Sequence, residues 1–333
     1  MEIISALKKS GLVGLGGAGF PTWQKWQAVA DSLESKKFLV CNLTEGEPGV
    51  FKDEYILQNH LSELVAGIVL AKNTVGAQRS YIFLNDKFGK YLSKIKKMIR
   101  GKKIEIFIDT GGYLCGEETT LLQTIEGKLR QPRAKPPYPT NYGLYGYPTL
   151  INNAETLYRA YLISEGNFDL KRFYSLSGDY IKRRIIEKNI GAKIKEIIPD
   201  RFLGDINFVR VNGCSGFFAK KEDFEQIIDG VGAIKIYGKS RKIIDALIES
   251  INFLKTESCG KCTPCREGLY RIAELVGKLS TTSSLWDRKE LIELISEIAE
   301  NAEISSFCPL GASISRPVIS VIKNFKEEIL GEV

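Results

Sequence analysis

The chain has 333 residues, of which 44% are hydrophobic and 26% are charged, and its formal net charge is +7. This length suits two or three domains, and the composition excludes the disordered and fibrous classes. The positive charge would suit an anionic ligand or an acidic partner, but no arginine run is interleaved with aromatic residues, which argues against nucleic acid.

No apolar run reaches the roughly 20 residues that a membrane-spanning helix needs. The first ten residues, MEIISALKKS, are too polar for a signal peptide and have the pattern of one short amphipathic helix. The sequence therefore predicts a cytoplasmic protein with no direct membrane insertion. Peripheral attachment to the inner face of the cell membrane through partner subunits stays open.

The first half of the chain alternates short apolar runs with helical patterns. Strands are predicted at 37–42, 80–85 and 103–109, and helices at 53–75, 87–103 and 116–128. Alternating strands and helices predict an α/β domain in which a parallel sheet is covered by helices. The segment 130–148 is rich in Pro, Gly and Tyr, and its length inside this domain predicts a functional loop rather than a linker.

The second half divides into two further regions. A small α+β domain is predicted from strand-like runs around one helical stretch; the runs are 172–180, 207–213 and 232–238, and the stretch is 192–200. From residue 240 to the end the apolar spacing is helical, which predicts a helical bundle. The predicted domains are therefore 1–165, 166–239 and 240–333.

Four of the seven cysteines predict a metal centre. They are Cys259, Cys262, Cys265 and Cys308. A C-x₂-C-x₂-C run with a remote Cys-Pro is the spacing of a [4Fe–4S] cluster, whereas zinc sites usually pair their cysteines two by two. An iron–sulfur cluster is therefore favoured over zinc, and zinc over unligated thiols. The other three are predicted to be small buried side chains, namely Cys41, Cys115 and Cys214.

A glycine-rich loop opens the first domain. The stretch GLVGLGGAGF, residues 11–20, carries a G-x-G-x-x-G pattern at Gly14, Gly16 and Gly19. A helical pattern precedes it where a Rossmann dinucleotide motif has a strand, so the pattern alone is a weak signal. Its glycines nevertheless let a backbone approach a flat or phosphorylated ligand.

The residues after this loop also suit an anionic ligand. Pro21 fits the first turn of a helix, whose N-terminus favours an anion, and Lys25 lies one turn further on. Phe20 and Trp23 either stack on a ring or belong to the core, and the sequence leaves both open.

Three later loops carry polar side chains at the ends of predicted elements. They hold Glu45, Glu47, Glu117, Glu118, Asn152 and Asn153. Loops after the strands of an α/β sheet are where ligands make their contacts. The alternatives are a solvated acidic turn for the first pair and helix capping for the second pair.

Five stretches of the sequence carry distinctive motifs: GGAGFPT, CNLTEGEPGVFKDE, YLCGEETTLLQTIEGKLRQPRAKPPYP, GYPTLINNAETL and ESCGKCTPCREG. Together they resemble the flavoprotein subunit of respiratory complex I, known as NuoF or the 51 kDa subunit, and its relatives in NAD-linked hydrogenases and formate dehydrogenases. The resemblance covers nearly the whole chain. It implies a Rossmann-like α/β domain that binds FMN and NADH, a small ubiquitin-like (SLBB) domain, and a helical bundle that carries one [4Fe–4S] cluster.

The resemblance also implies roles for individual residues. The FMN shell would be Gly14, Gly16, Gly17, Asn42, Tyr113, Gly116, Asn152 and Asn153. The NADH shell would be Phe20, Lys25, Glu47, Glu118, Lys135 and Tyr138, with Lys25 and Glu47 as the catalytic candidates. Gly19, Glu45 and Glu117 share these loops and complete the candidate cofactor site, and the four cysteines would hold the cluster. Phe20 and Tyr138 would stack on the adenine, and Glu118 would repel a 2′-phosphate.

The implied function is oxidation of NADH through FMN. Single electrons would pass to the cluster and on to a small [2Fe–2S] subunit and a larger iron–sulfur subunit of an NADH:quinone oxidoreductase. A flavin is needed because NADH gives up hydride while a cluster accepts one electron at a time.

Two alternatives stay open. One is the equivalent subunit of a soluble hydrogenase, a formate dehydrogenase or an electron-bifurcating complex. The other is a relay subunit that has lost its dinucleotide site. Departures from the family pattern motivate the relay alternative, and they leave the choice between NADH and NADPH open; they are Val13, Leu15, Ala28, Thr44 and Lys87.

Overall fold

The computed structural model describes residues 2–332. In this part of the chain the strands are β1 (Phe38–Leu43), β2 (Arg79–Asn85), β3 (Ile104–Asp109), β4 (Thr149–Asn153), β5 (Lys171–Gly178), β6 (Ile181–Asn189), β7 (Ile206–Val211), β8 (Phe217–Ala219) and β9 (Ala233–Gly238). The α-helices are α1 (Glu2–Ser10), α2 (Thr22–Ala30), α3 (Lys52–Asn59), α4 (Leu61–Val75), α5 (Leu92–Met98), α6 (Glu118–Ile125), α7 (Ala154–Ser164), α8 (Ile194–Ile197), α9 (Ile243–Glu257), α10 (Thr263–Thr281), α11 (Leu285–Ser305), α12 (Pro309–Ala312), α13 (Ser315–Asn324) and α14 (Lys326–Leu330).

The first sheet is parallel throughout, with the strand order β3-β2-β1-β4. The three predicted strands are confirmed as β1, β2 and β3. The fourth strand, β4, was missed because the two asparagines in TLINN favoured a loop. Since β2 and β4 flank β1 on opposite sides, the chain reverses direction across the sheet between β1 and β4. Parallel sheets bind ligands at the carboxyl ends of their strands beside such a reversal.

Helices α4 and α7 pack together beside this sheet and define its core. Leu64 of α4 and Leu157 of α7 are fully buried in the same apolar cluster as Leu39 of β1. Each such side chain contributes about 2 kcal/mol by leaving water. A Cβ on Gly67 would lie 2.2 Å from the Leu157 carbonyl oxygen, so only glycine permits this close helix contact.

The second sheet is mixed and has the order β6-β5-β9-β7-β8. Strand β5 runs parallel to β9 and antiparallel to β6, while β7 is antiparallel to both β8 and β9. The predicted α+β character is confirmed here, with α8 as the helical stretch. Strands β6 and β8 were missed, because β6 is exposed along most of its length and lacks the apolar alternation of a half-buried strand.

The remaining helices, α9 to α14, form the predicted helical region around an apolar core that includes Leu247, Leu269 and Ile295. None of the helices within residues 2–332 combines the length and the apolar character that a transmembrane segment requires.

Two predicted helices were wrong in extent. The predicted helix 53–75 is two helices, α3 and α4, that meet at His60. The predicted helix 87–103 contains only α5, which follows a 3₁₀ turn over Asp86–Tyr91. Near the C-terminus the predicted helical spacing is divided at Phe325 into α13 and α14.

Candidate functional site

The carboxyl ends of β1 and β4 lie where the first sheet reverses its order, and the candidate site that the surrounding loops form there is here called the crevice. Asn42, near the end of β1, donates a hydrogen bond from Nδ2 to the Gly116 carbonyl at 2.9 Å, and its Oδ1 accepts the Thr44 hydroxyl at 2.9 Å. A Cβ on Gly116 would lie 2.8 Å from Thr44 Oγ1. These contacts fix the loop that precedes α6 across the end of β1, so the sheet edge and this loop form one surface.

The glycine loop closes the crevice on the β4 side. Its ends are held by a bridge between Val13 and Pro21. The Leu15 N–H donates to Thr156 Oγ1 of α7 at 2.9 Å, and a Cβ on Gly16 would lie 3.0 Å from Asn153 Cβ. The loop therefore lies directly over the end of β4.

Four consecutive peptide groups of this loop are free to bind a ligand. Within residues 2–332 the backbone N–H groups of Gly16, Gly17, Ala18 and Gly19 donate no hydrogen bond to the protein. Adjacent unpaired N–H groups attract phosphate. The crevice thus has the donors that the phosphate of FMN requires, at the place where an α/β sheet binds its ligands.

Lys25, Glu118 and Lys135 form one ion cluster beside the crevice; together with the exposed rings of Phe20 and Tyr138, which are close in sequence to Lys25 and Lys135, they are here called the outer rim. Glu118 accepts Lys25 Nζ at 2.9 Å and Lys135 Nζ at 2.8 Å. Burial would raise the pKa of Glu118, but the two ammonium groups outweigh it and hold the pKa below its ordinary value. Phe20 is 45% exposed and Tyr138 is 55% exposed, so both rings are open to a ligand.

Trp23 does not share this exposure. It is partly buried against the core of the first domain, and Lys8 Nζ lies 4.8 Å from the centre of its ring. Of the two aromatic residues that the sequence left open, Phe20 is therefore available for stacking and Trp23 belongs to the edge of the core.

Glu117 is chiefly a helix cap. Its Oε2 accepts the N–H groups of Thr119 and Thr120 at 3.0 and 2.8 Å, and its Oε1 lies 3.1 Å from Lys135 Nζ. The capping alternative is therefore realised, and the pair with Lys135 ties the cap to the outer rim.

The opposite side of the crevice, here called the inner wall, is formed by Glu45, Glu47 and Tyr113. Glu47 is 5% exposed, and it accepts Ser215 Oγ at 2.7 Å and the Ser215 N–H at 3.2 Å. Burial raises the pKa of Glu47, although these hydrogen bonds oppose the rise. A Cβ on Gly46 would lie 2.6 Å from Tyr113 Cα, so the turn and the loop before α6 touch backbone to backbone.

Glu45 is engaged within the protein. Its Oε1 accepts the Asp53 N–H at 2.5 Å and its Oε2 accepts the Glu54 N–H at 3.3 Å, which caps α3. Burial, reinforced by the neighbouring Asp53 carboxylate, raises the pKa of Glu45 to about 8. The backbone at Glu45 has φ 40°, a left-handed conformation that strains a residue with a Cβ.

The two asparagines of β4 also have protein partners. Asn152 Oδ1 accepts Trp26 Nε1 at 2.9 Å. Asn153 caps α7 and accepts Lys52 Nζ at 2.9 Å, while its Nδ2 donates to Asp53 at 3.1 Å. Asn153 thus belongs to a buried ion cluster in which Lys52 also pairs with Glu155 at 2.9 Å.

The four cysteines of the helical region gather in one place. Burial and the three neighbouring thiols, Cys262, Cys308 and Cys259, together raise the pKa of Cys265 to about 11. Cys262 and Cys308 precede helices α10 and α12; burial raises the pKa of Cys308, although the nearby Gly311 and Leu310 N–H groups oppose the rise. N–H groups at helix starts stabilise thiolates.

Four converging thiols are the donor set of an iron–sulfur cluster. Among residues 2–332 no three ligand-type side chains are grouped as tightly as one metal ion needs. The remaining three cysteines are buried, as predicted: Cys41, Cys115 and Cys214.

The loop before α6 joins the crevice to the cysteines. The Tyr113 N–H donates to Glu257 Oε2 of α9 at 2.7 Å, and Leu114 belongs to the core of the helical region. Tyr113 and Glu117 are both close enough to Cys308 for their charges to interact.

Two of the departures from the family pattern have clear structural roles. Leu15 is 1% exposed and belongs to the core of the first domain. Lys87 donates to the Glu45 carbonyl, and its Nζ lies 3.9 Å from the Glu45 carboxylate. Both side chains therefore support the walls of the crevice.

Sequence reasoning missed the residues that support the crevice from behind. They are Lys52, Asp53, Glu155, Arg172 and Ser215. The first two directly follow the turn that carries Glu45 and Glu47, which was the only available signal. Their partners lie 100 or more residues away in several cases, as with Asn153 and Asp53, so no local pattern reports them.

Comparisons with known proteins identify the family that the chain resembles. The Nuo51 FMN-binding domain matches residues 7–162, and the NADH-ubiquinone oxidoreductase-F iron-sulfur binding region matches residues 245–332. The F subunit of the NADH-quinone oxidoreductase of Aquifex aeolicus is 31% identical over 98% of this chain and 85% of that protein. The corresponding F subunit of Rickettsia bellii is 33% identical over 98% of this chain and 89% of that protein.

A solved structure is also similar. An NAD⁺-reducing [NiFe]-hydrogenase in the H₂-reduced state matches with a TM-score of 0.89 and 29% identity over 99% of this chain. The present chain spans 62% of that hydrogenase chain.

Proposed function

This chain belongs to the family of F subunits of NADH-quinone oxidoreductases, and we propose that its crevice is the place where NADH is bound and oxidised. The chain is an FMN- and [4Fe–4S]-binding flavoprotein with NADH dehydrogenase function.

One observation carries the proposal: a single short loop contacts all three parts of the site. The Gly116 carbonyl accepts a hydrogen bond from Asn42 near the end of β1, Glu118 at the start of α6 pairs with Lys25, and Tyr113 packs against the apolar core that contains Cys265 and Cys308. The residues that suit a dinucleotide and those that suit a cluster are therefore one loop apart. Such proximity is what short-range electron transfer between two cofactors requires.

The outer rim would bind the dinucleotide. Phe20 and Tyr138 offer exposed rings for stacking on the adenine, and Lys25 and Lys135 offer cations for the phosphates. Glu118 neutralises these lysines in the absence of a ligand. Its carboxylate would accept ribose hydroxyls and repel a 2′-phosphate, which favours NADH over NADPH.

The glycine loop and the inner wall would hold the flavin side. The free N–H groups of residues 16–19 suit the FMN phosphate, and Asn42, Gly116 and Asn152 line the adjacent sheet edge. Bound FMN supplies the exchange between two-electron hydride chemistry and one-electron transfer. Glu47 would stabilise the positive charge that develops on the nicotinamide ring as hydride leaves.

The chain functions as one component of a multi-subunit enzyme, since its relatives are F subunits of NADH-quinone oxidoreductases. We infer a small [2Fe–2S] subunit and a larger iron–sulfur subunit as its partners, because this chain offers one cluster site and electrons must leave it. Association with the inner face of a membrane would come through these partners.

The hydrogenase match supports a second candidate. The same half-reaction, run toward NAD⁺ reduction, would serve a soluble NAD(P)-linked hydrogenase, a formate dehydrogenase or a bifurcating complex. Identification of the proteins that co-purify with the native chain distinguishes these complexes, because a hydrogenase or a formate dehydrogenase contains its own large catalytic subunit.

The test is an anaerobic absorption spectrum of protein reconstituted with FMN, iron and sulfide, before and after addition of NADH. Bleaching of flavin and cluster within seconds supports the proposal. A spectrum that does not change on addition of NADH or NADPH but bleaches with dithionite would contradict the proposal and indicate a passive electron relay. Glu126→Ala is a matched control for variants of the outer rim, since Glu126 also pairs with two cations, Lys128 and Arg133, outside the site.

A further inference from the structure

A loop of the second domain, residues 212–216, encloses the Glu47 carboxylate. Asn212 and Gly213 both adopt left-handed backbone conformations, with φ 65° and 78°. A Cβ on Gly213 would lie 2.3 Å from Glu47 Cγ, so the loop approaches this side chain as closely as glycine allows. The turn brings consecutive peptide N–H groups to face one carboxylate, which is the geometry of an anion-binding nest.

Ser215 is the centre of this contact. Its Oγ donates to Glu47 Oε2 at 2.7 Å and its N–H donates to Oε1 at 3.2 Å, so both carboxylate oxygens are held. The Cys214 N–H also points to the carboxylate. The Tyr113 hydroxyl donates to Ser215 Oγ at 3.3 Å, which leaves the serine hydroxyl hydrogen free for Glu47.

The loop is itself anchored inside the second domain. Asn212 Oδ1 accepts the Gly232 N–H at 3.0 Å, and its Nδ2 donates to Asp229 at 2.8 Å. Arg172 donates to the Gly230 carbonyl at 3.0 Å and contacts the Leu15 carbonyl of the glycine loop. The second domain therefore holds both sides of the crevice through one connected network.

We propose that Ser215 is a positioning residue for Glu47, so that the second domain completes the inner wall of the hydride site. The role of Glu47 toward NADH rests on the proposed function, whereas its restraint by Ser215 does not. A carboxylate fixed at both oxygens by donors on a rigid loop keeps one orientation, as a group that stabilises a developing charge must.

The ionisation of Glu47 should depend on these neutral donors. The titratable groups that face it are the Tyr113 phenol, from the loop before α6, and the Cys214 thiol, from its own enclosing loop. Burial raises the pKa of Tyr113, and burial raises the pKa of Cys214 to about 12 although Arg210 opposes the rise. Both are therefore uncharged at pH 7, and hydrogen bonds rather than ion pairs favour the carboxylate.

The test compares Ser215→Ala with Ser175→Ala in the FMN- and cluster-loaded protein. Ser175 is a matched control, because it is a buried serine of the second domain whose Oγ accepts the Phe51 N–H of the first domain at 3.1 Å without touching Glu47. Infrared titration measures the protonation midpoint of Glu47, which is assigned from the difference between wild type and Glu47→Gln. The pH profile of kcat/KM for NADH is measured on the same samples.

Ser215→Ala is expected to raise the midpoint of Glu47 by about one pH unit, because a hydrogen bond to a charged group is lost. The acid limb of kcat/KM should move by the same amount, Ser215→Thr should restore both, and Ser175→Ala should move neither. If Ser215→Ala does not fold, Ser215→Cys replaces it and should give a smaller shift in the same direction.

An unmoved infrared midpoint in the Ser215 variant, or an equal shift in Ser175→Ala, would overturn the proposal. Failure of the wild type to react with NADH would instead overturn the proposed function. The infrared midpoints need no NADH, so they decide on Ser215 in either case.

Discussion

The outer rim and the inner wall hold carboxylates by opposite means. Glu118 on the rim is partly exposed and lies between two lysine ammonium groups, which lower its pKa. Glu47 on the wall is buried among neutral donors, and its pKa is raised. A carboxylate paired with movable cations can release them to an incoming anion. A carboxylate fixed by a serine and peptide groups keeps its place, and its charge responds to its surroundings.

This difference indicates that the outer rim determines which ligand binds, whereas the inner wall takes part in the reaction. The rim resembles a binding surface, in which charge pairs are exchanged when a ligand enters. The wall is connected to three regions of the chain at once, through Ser215, Tyr113 and the turn that carries Glu47. Changes on the wall should therefore alter rates, and changes on the rim should alter selectivity.

The largest effect is expected where the wall meets the cysteine site. Cys259→Ala should abolish the reducible cluster, because one of four thiolate ligands is missing, while NADH still bleaches the flavin. Iron content, electron paramagnetic resonance after dithionite and flavin absorbance measure this. Cys259 is partly exposed, so the change leaves no core cavity.

The control for that variant is Cys115→Ala, which removes a buried thiol that is not a predicted ligand. It should keep both signals. A cluster that survives in the Cys259 variant would remove this residue from the ligand set.

The second largest effect is expected at Glu47. Glu47→Gln should lower the rate of flavin reduction by about 100-fold, since the charge that opposes the forming nicotinamide cation is lost. The dissociation constant of NADH should change little, because the rim is intact. Stopped-flow absorbance gives both values, and Glu249→Gln serves as the control because Glu249 interacts with Cys214 but does not touch Glu47. If only the dissociation constant of NADH changed, Glu47 would contribute to NADH binding and not to the rate of hydride transfer.

A smaller effect is expected at Glu45, as a pH dependence of stability. The pKa of Glu45 is raised in the folded chain from its ordinary value of 4.5 to about 8. The folded chain therefore keeps a proton that the unfolded chain releases in this range. The resulting stabilisation is fully present below pH 4.5 and is lost as the pH rises to about 8.

Native-state hydrogen exchange of the α3 amides measures this, because Glu45 caps that helix. The opening free energy in the wild type should fall by roughly 3 kcal/mol more than in Glu45→Gln between pH 5 and 8. The exposed Glu34→Gln controls for loss of a carboxylate. If the opening free energy depended on pH in the same way in the wild type and in Glu45→Gln, Glu45 would be ionised throughout this pH range.

The smallest effect is expected on the rim, as a change in selectivity. Glu118→Ala should lower the ratio of kcat/KM for NADH over NADPH by about 10-fold, because a repulsive carboxylate is removed and two lysines are released. Steady-state kinetics with both nucleotides measures the ratio, with Glu126→Ala as the control. An unchanged ratio would show that Glu118 does not face the ribose.

The sequence predicted the parts of the fold that have a local signal. Strands β1 and β2 contain continuous apolar runs, whereas β3 is interrupted by Glu105 and is buried only at Ile104 and Asp109; the three regions follow from a change of periodicity along the chain. Strand β4 was missed because TLINN ends in two asparagines, whose burial depends on Trp26 and Lys52. The helix break at His60 was missed because apolar spacing continues across it.

The candidate site was predictable as a set of residues but not as an arrangement. Spacing indicated the four cysteines, since a C-x₂-C-x₂-C run followed by a remote Cys-Pro is typical of a [4Fe–4S] cluster. The motifs indicated Lys25, Glu118 and Lys135, but not that both lysines pair with the same carboxylate.

The sequence by itself determined which cofactors this chain can bind, because the type and spacing of its cysteines and glycines can be read directly from short motifs. Only the tertiary structure decided the state of each carboxylate. Glu45, Glu47 and Glu118 look alike in sequence, yet their ionisation is set by burial and by partners such as Asp53, Ser215 and Lys25. Ser215 lies 168 positions from Glu47, and desolvation depends on everything that packs around a group. The loops of the second sheet therefore enter the site through packing, which no local motif records.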